Sequence, residues 1–248
     1  MIKVVIFDMD GLLIDSEVIS YRCYKELIES YGYSFMMEDY IQDYPGKQLN
    51  VSLQFIKEHY HLDYDIEEKF QLFHHLEQKY MKEDGVQLKK GTQELLKYWQ
   101  EHGYSIALAT SSLSSRAHSI LDEHDVLHYF DEIICGSDVS RGKPFPDIFL
   151  KACERLNVLP SEAIVLEDNE AGIQAAYDAH IPVYCIPDLK QPGEDYAQKT
   201  KGILSSLLDV ITILENMWWH KKTIINLIWL IIVYFFIINE CDFLYIIS

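Results

Sequence analysis

The sequence predicts an α/β fold: a doubly wound, Rossmann-like parallel sheet with an α-helical module inserted in it. Three observations carry this. Short apolar, β-branched runs recur along the chain, segments of helical periodicity separate them, and the stretch 17–87 has helical periodicity with no convincing strand. Strand alternating with helix implies a parallel sheet covered on both faces.

The first run, 3–7, is too short for a helix and is bounded by Asp8 and Gly11, as expected of a strand buried on both faces. The same signature returns at 105–110, 133–135, 163–166 and 182–186, with helical patterns between at roughly 91–103, 113–124, 145–157 and 169–179. The module shows helical spacing at 18–31, 51–60 and 66–81. A connection between a strand and a helix needs only a few residues, so a gap of this size must hold a module. Gly85 and the segment Leu88-Lys89-Lys90-Gly91 read as the return to the sheet. The expected organisation is therefore a core of 1–16 and 88–216, a helical module of 17–87, and a hydrophobic extension, 217–248, that continues neither pattern.

With 248 residues the chain can bury a full core, and 49% apolar with 24% charged residues is ordinary globular composition. Its net charge is −18, and no Lys/Arg cluster exceeds a pair, so the footprint of a nucleic-acid binder is missing. Cys23, Cys135, Cys153, Cys185 and Cys241 are scattered and form no C-x-x-C pair, which argues against a disulfide framework or zinc site and for a reducing, cytoplasmic setting. Met1-Ile2-Lys3 leads directly into the first strand, so a removable signal peptide is not expected.

Parallel α/β sheets bind ligands at the carboxyl ends of their strands, and four short signals sit at or just beyond such ends. Asp8 and Asp10 follow the first strand, where two acids can share one cleft; a solvated turn has the same pattern. Thr110-Ser111-Ser112 closes the second strand, offering hydroxyls and free N–H groups to an anion, or simply a helix N-cap. Lys143 lies in Gly142-Lys143-Pro144-Phe145-Pro146, where prolines hold it in place, though a turn lysine can also be plain surface. Glu167-Asp168-Asn169 follows the strand 163–166; crowded acids there suit a hard cation, and they also suit a helix N-terminus. His74-His75 and His59-Tyr60-His61 lack metal-ligand spacing, and no P-loop, G-x-G-x-x-G or H-E-x-x-H occurs.

Taken jointly, these residues resemble the haloacid dehalogenase superfamily of aspartyl phosphotransferases. The resemblance rests on Phe7-Asp8-Met9-Asp10-Gly11-Leu12-Leu13-Ile14-Asp15-Ser16-Glu17, on Thr110-Ser111-Ser112, on Gly142-Lys143-Pro144-x-Pro146-Asp147-Ile148-Phe149, and on Glu167-Asp168-Asn169-x-x-Gly172-Ile173-x-Ala175-Ala176. They occur in the family's order over about residues 1–215, and the position of the insertion is similar to the branch with a helical cap, which includes β-phosphoglucomutase-like and sugar-phosphate phosphatases. The resemblance implies that Asp8 is the nucleophile and Asp10 the acid/base. It implies that Thr110, Ser111 and Lys143 bind the phosphoryl group, and that Asp8, the backbone carbonyl of Asp10, Glu167 and Asp168 hold Mg²⁺. Asn169 departs from the family, which often has Ser at that place, and is expected to act beside the ligands rather than as one. It also implies that residues 17–87 form a cap pivoting near Asp15-Ser16 and Leu88-Lys89, with Tyr21, Tyr24, Tyr44, Lys47, Gln48 and Asn50 as candidates to face the substrate.

The expected activity is a Mg²⁺-dependent phosphatase of a small phosphorylated metabolite, a sugar phosphate first, acting as a monomer. A phosphomutase is the alternative; its family members carry an arginine in the cap loop where Leu49 stands here, with Lys47 as the nearby cation, which favours the phosphatase. A dehalogenase is disfavoured because that chemistry needs no metal and no acid at Asp10. A non-catalytic binding or membrane-attached protein is a further reading, the latter only through the apolar run 224–238, which falls short of the roughly 20 residues that span a bilayer. The extension reads as a short membrane anchor, a helix docked on the core or a partner, or an out-of-frame tail, the last first because its Ile, Asn, Phe and Tyr are what translated AT-rich DNA gives.

Overall fold

Residues 2–45, 47–213 and 215 are described by the computed structural model, so the extension 217–248 and its apolar run lie outside the described residues. Met1–Leu207 forms one unit and carries every element below; Leu208–Ser248 forms a second.

The chain opens with β1 (Val4–Phe7), completely buried, and the two-residue β2 (Ile14–Asp15). Four helices follow: α1 (Glu17–Glu29), α2 (Met37–Asp43), α3 (Leu49–His59) and α4 (Ile66–Asp84). Next come β3 (Gln87–Leu88), α5 (Thr92–Glu101), β4 (Ser105–Thr110), α6 (Ser114–Glu123) and β5 (Glu132–Cys135). The remainder is α7 (Asp147–Arg155), β6 (Ala163–Glu167), α8 (Glu170–Asp178), β7 (Val183–Cys185), α9 (Glu194–Ala197) and β8 (Gly202–Ile203).

Six strands form one parallel sheet in the order β5-β4-β1-β6-β7-β8. Numbered by their appearance within that sheet, this is the 3-2-1-4-5-6 order of doubly wound nucleotide-binding folds, with the reversal of strand order beside β1. The register aligns Phe7 with Leu108 on one side and Leu166 on the other. Asp8, Thr110 and Glu167 therefore reach the same edge of the sheet, at the point where a crevice must open.

Residues on alternate positions of β1 take opposite faces. Val4 and Ile6 join Ile148 and Phe149 of α7 and Ile173 and Ala176 of α8 in one cluster. Phe7 points the other way and meets Phe130 edge-on at 6.4 Å. Val4, Val5, Ile6 and Phe7 are each at most 1% exposed, and burying such a side chain contributes about 1.5–3 kcal/mol. The sheet is thus rigid where the candidate site begins.

At the expected pivots near Asp15-Ser16 and Leu88-Lys89, residues 14–15 and 87–88 pair as a two-stranded antiparallel ribbon, Ile14 opposite Leu88 and Asp15 opposite Gln87. Lys89 N–H and Thr92 Oγ1 both donate to the Leu13 carbonyl, at 2.8 and 2.9 Å, which ties the ribbon to the first loop. The helices α1–α4 lie between its two strands. Two further elements stand where none is predicted, the helix α2 and the short strand β8.

Candidate active site

Asp8 leaves β1 at its carboxyl end, and the register of β6 sets Glu167 and then Asp168 beside it. Lys143 arrives on the loop before α7, through a cis peptide to Pro144. Its Nζ lies 2.5 Å from Asp8 Oδ1 and 2.5 Å from Glu167 Oε1. These four side chains are nearly inaccessible, Glu167 wholly so. Burial pushes the Asp8 carboxyl up to about 7, Glu167 and Asp10 adding to the rise while the Lys143 ammonium opposes it. Asp168 rises for the same reasons, burial first and then the neighbouring charges of Glu167 and Asp8. Burial lowers the Lys143 ammonium's proton affinity, but Asp8 and Glu167 outweigh it and hold the charge.

Ligand oxygens of Asp8, Glu167 and Asp168 lie within 4.8 Å of one another. Three carboxylates against one ammonium leave a surplus of negative charge, and like charges at this spacing favour a cation. The donor set is hard oxygen only, which suits a divalent ion of the Mg²⁺ type. Two glycines keep this crowd possible. A Cβ on Gly11, whose φ is +80°, would come 2.3 Å from Asp168 Oδ2, and one on Gly172 would come 1.8 Å from the Glu167 carboxyl carbon. Asn169 caps α8, accepting from Gly172 N–H at 3.1 Å, and donates to Asp168 Oδ1 at 2.7 Å. It thus orients a carboxylate without joining the trio.

Asp10 belongs to a second cluster. Its Oδ1 accepts from Arg116 Nη2 at 2.8 Å, and its Oδ2 accepts from Arg116 Nη1 at 2.9 Å and Ser112 Oγ at 2.7 Å. Burial opposes ionisation of Asp10, but the Arg116 guanidinium, with the hydrogen bonds of Arg116, Ser112 and Ser16, holds it below the usual carboxylate range. Arg116 comes from α6 and was not among the expected residues. Thr110, at the end of β4, is buried and accepts the Ser112 N–H at 3.1 Å, so its hydroxyl shapes the turn that presents Ser112. Ser111 lines the adjoining cavity instead.

That cavity, about 1330 Å³, runs from Asp10, Ser112 and Arg116 to the module helices. Of the candidates to face a substrate, Tyr24, Tyr44, Lys47, Gln48 and Asn50 line it, with Leu49 among them. Tyr21 does not: it stacks on Phe35 at 5.9 Å between ring centres and serves the packing between helices. Tyr24 also packs, 4.7 Å from both Tyr44 and Phe73. Gln48 Nε2 donates to the Lys143 carbonyl at 3.4 Å, a direct link from the module to the loop that holds the lysine.

Residues 5–186 match the family model of haloacid dehalogenase-like hydrolases. A phosphorylated carbohydrates phosphatase of Thermotoga maritima is 34% identical over 217 residues, which cover 84% of this chain and all of that protein. A fructose-1-phosphate phosphatase of Escherichia coli is 31% identical, over 69% of this chain and 89% of its own. A solved structure from Thermotoga maritima, provisionally assigned as a β-phosphoglucomutase, superposes with a TM-score of 0.71 at 28% identity, over 87% of this chain and 99% of the other.

Proposed function

Since the chain belongs to the haloacid dehalogenase-like hydrolases and is a phosphoric monoester hydrolase, we propose that it is a Mg²⁺-dependent phosphatase of small phosphorylated carbohydrates, working through an aspartyl phosphate on Asp8. The observation that carries this reading is the buried trio Asp8, Glu167 and Asp168 with Lys143 bridging two of its members. Asp8, Glu167, Asp168 and the backbone carbonyl of Asp10 would hold Mg²⁺, which when bound offsets the repulsion between a carboxylate nucleophile and an anionic ester.

An Asp8 carboxylate oxygen forms the new bond to phosphorus as the bond from phosphorus to the sugar oxygen breaks. Asp10, held as a carboxylate by Arg116, takes up a proton before it gives one to that leaving oxygen, then takes one from the water that attacks the aspartyl phosphate and releases phosphate. Lys143 neutralises charge beside Asp8, and Thr110 and Ser111 receive the phosphoryl oxygens. Residues 17–87 act as a cap over this site, moving on the ribbon formed by β2 and β3 and excluding bulk water when closed. Leu49 lines the cavity where a mutase needs a cation, and Lys47 rests over the Phe55 ring at 5.1 Å, which favours water over a second sugar phosphate as acceptor. The carbohydrate class is supported by the Thermotoga and Escherichia phosphatases.

Phosphate release from fructose 1-phosphate, glucose 6-phosphate, ribose 5-phosphate and phosphoglycolate tests this directly. Turnover is expected with Mg²⁺ and not with EDTA, and Asp8→Asn should lose at least about 1000-fold in kcat. Activity in Asp8→Asn would overturn the mechanism. Isomerisation of β-glucose 1-phosphate with its bisphosphate, without net phosphate release, would assign a mutase instead.

A further inference from the structure

Arg116 is shared between two carboxylates that belong to different parts of the fold. Its two terminal nitrogens grip both oxygens of Asp10, which follows β1, while its Nε faces Glu77 Oε1 of α4 at 3.2 Å. The two arms are unequal. The Asp10 arm is a hydrogen-bonded fork, whereas the Arg116 Nε makes no aligned hydrogen bond and meets Glu77 as an ion pair only. Arg116 and Glu77 are both well shielded, at 14% and 13% exposure of their side chains, so water screens neither contact strongly. Glu77 is itself held by His74 Nδ1 at 3.3 Å, and α4 runs through Gly85 into β3, one strand of the ribbon on which the module is attached.

Resting on the reading of Asp10 as the acid/base, we propose that Arg116 is its positioning residue and that Glu77 sets how Arg116 is held. A planar guanidinium binding a carboxylate through two parallel hydrogen bonds fixes both the distance and the rotation of that carboxylate. Both oxygens of Asp10 accept in this fork, so Asp10 is held here as the carboxylate and must turn out of one arm to carry a proton to the leaving oxygen of the ester; its facing therefore governs the chemical step. Glu77 draws the same guanidinium toward α4. A shift of α4 on the ribbon therefore moves the fork, and with it Asp10, with no contact between Glu77 and substrate. Of the other groups facing this cluster, Asp8 and Glu17 add negative charge beside it without bonding to the guanidinium, and Ser112 and Ser16 are hydroxyls that follow the carboxylate rather than place it.

The test separates esters by their need for a proton. An alkyl phosphate needs protonation of its leaving oxygen, whereas p-nitrophenyl phosphate leaves as a stable phenolate. For Arg116→Met, kcat/KM on the best alkyl ester of the panel above is expected to fall about tenfold or more, with less than about a twofold change on p-nitrophenyl phosphate. Arg116→Lys keeps the charge without the fork and should recover only part of the loss. Glu77→Gln should fall in the same direction by a smaller factor and cause no additional loss in the Arg116→Met background. Equal loss on both esters would mean that Arg116 grips the phosphoryl group or holds the fold, and would overturn the proposal. Independent, multiplicative losses for Arg116→Met and Glu77→Gln would overturn the role of Glu77. Either result leaves the nucleophile untouched, because activity in Asp8→Asn is what defeats the underlying mechanism.

Discussion

Glu17 stands in the first turn of α1, beside the cavity, and accepts the Tyr40 hydroxyl. Burial pushes its carboxyl up from 4.5 to about 7, with Asp188 and Asp10 adding to the rise and Tyr40 and Lys89 opposing it. An acid whose folded pKa is raised binds its proton more tightly in the folded chain than in the unfolded one. Stability then declines as pH climbs through the window from about 4.5 to about 7, and the full cost stands above it. Glu17→Gln keeps an acceptor for Tyr40 and removes the cost, so at pH 8 it should stabilise by about 1–3 kcal/mol, and at pH 5 by only about a quarter of that. Thermal melts at the two pH values, at fixed Mg²⁺, check this; an equal gain at both would contradict it. The residue scale is also where the sequence was most and least legible. Asp8, Asp10, Lys143, Glu167 and Asp168 stand out only jointly: each alone also reads as a turn, a surface lysine or a helix N-terminus, and their order at successive strand ends sets them apart. Arg116 does not, because its partner Asp10 is 106 positions away and one arginine on an amphipathic helix resembles any surface cation. The usable signal was the spacing of Ser112 and Arg116, four apart at the start of α6, which lets one side chain bond the other at 2.6 Å.

Among the elements, α8 and β6 form the tightest joint of the site. Gly172 lies in the first turn of α8, below the Glu167 carboxyl, and both elements are anchored: β6 between β1 and β7, α8 by its Asn169 cap and the packing of Ile173 and Ala176. A methyl group there has nowhere to go. Gly172→Ala should drive Glu167 off Lys143, destabilise by about 1–3 kcal/mol in urea unfolding, and reduce kcat more than about tenfold. Full activity would show that the joint can open. The short elements were the ones the sequence concealed. Two-residue strands such as β2, β3 and β8 have no room for alternation, so their pairing is decided by what lies beside them. In α2, seven residues long, Tyr40 alone is buried, and a single inward residue gives no periodicity to read. Long buried strands and the amphipathic α5 and α7 were legible because each commits a whole face to the core.

Across the whole molecule, the sequence predicts that strands alternate with helices, and right-handed crossovers then restrict their order to few choices. The observed order puts β1 between β4 and β6, so three segments distant in sequence deliver their acids and hydroxyls to one crevice. All the candidate site residues, Asp8 through Asp168, fall within Met1–Leu207. The Thermotoga phosphatase is matched over its entire length by 84% of this chain. About 16% of this chain thus has no counterpart in that protein, and the apolar run 224–238 is shorter than a bilayer requires. Among the described residues no helix is long and apolar enough to cross a membrane. A chain ending at Asn216 is therefore expected to keep kcat/KM within about twofold of the full chain. Its melting temperature should rise on adding Mg²⁺, as expected of a ligand bound only by the folded state. An apolar run promotes association where it is left uncovered, and size-exclusion chromatography of the two chains tests this: the full chain then elutes earlier than its mass requires and the shortened one does not. A loss beyond tenfold in the shortened chain would place part of the active machinery in those last residues.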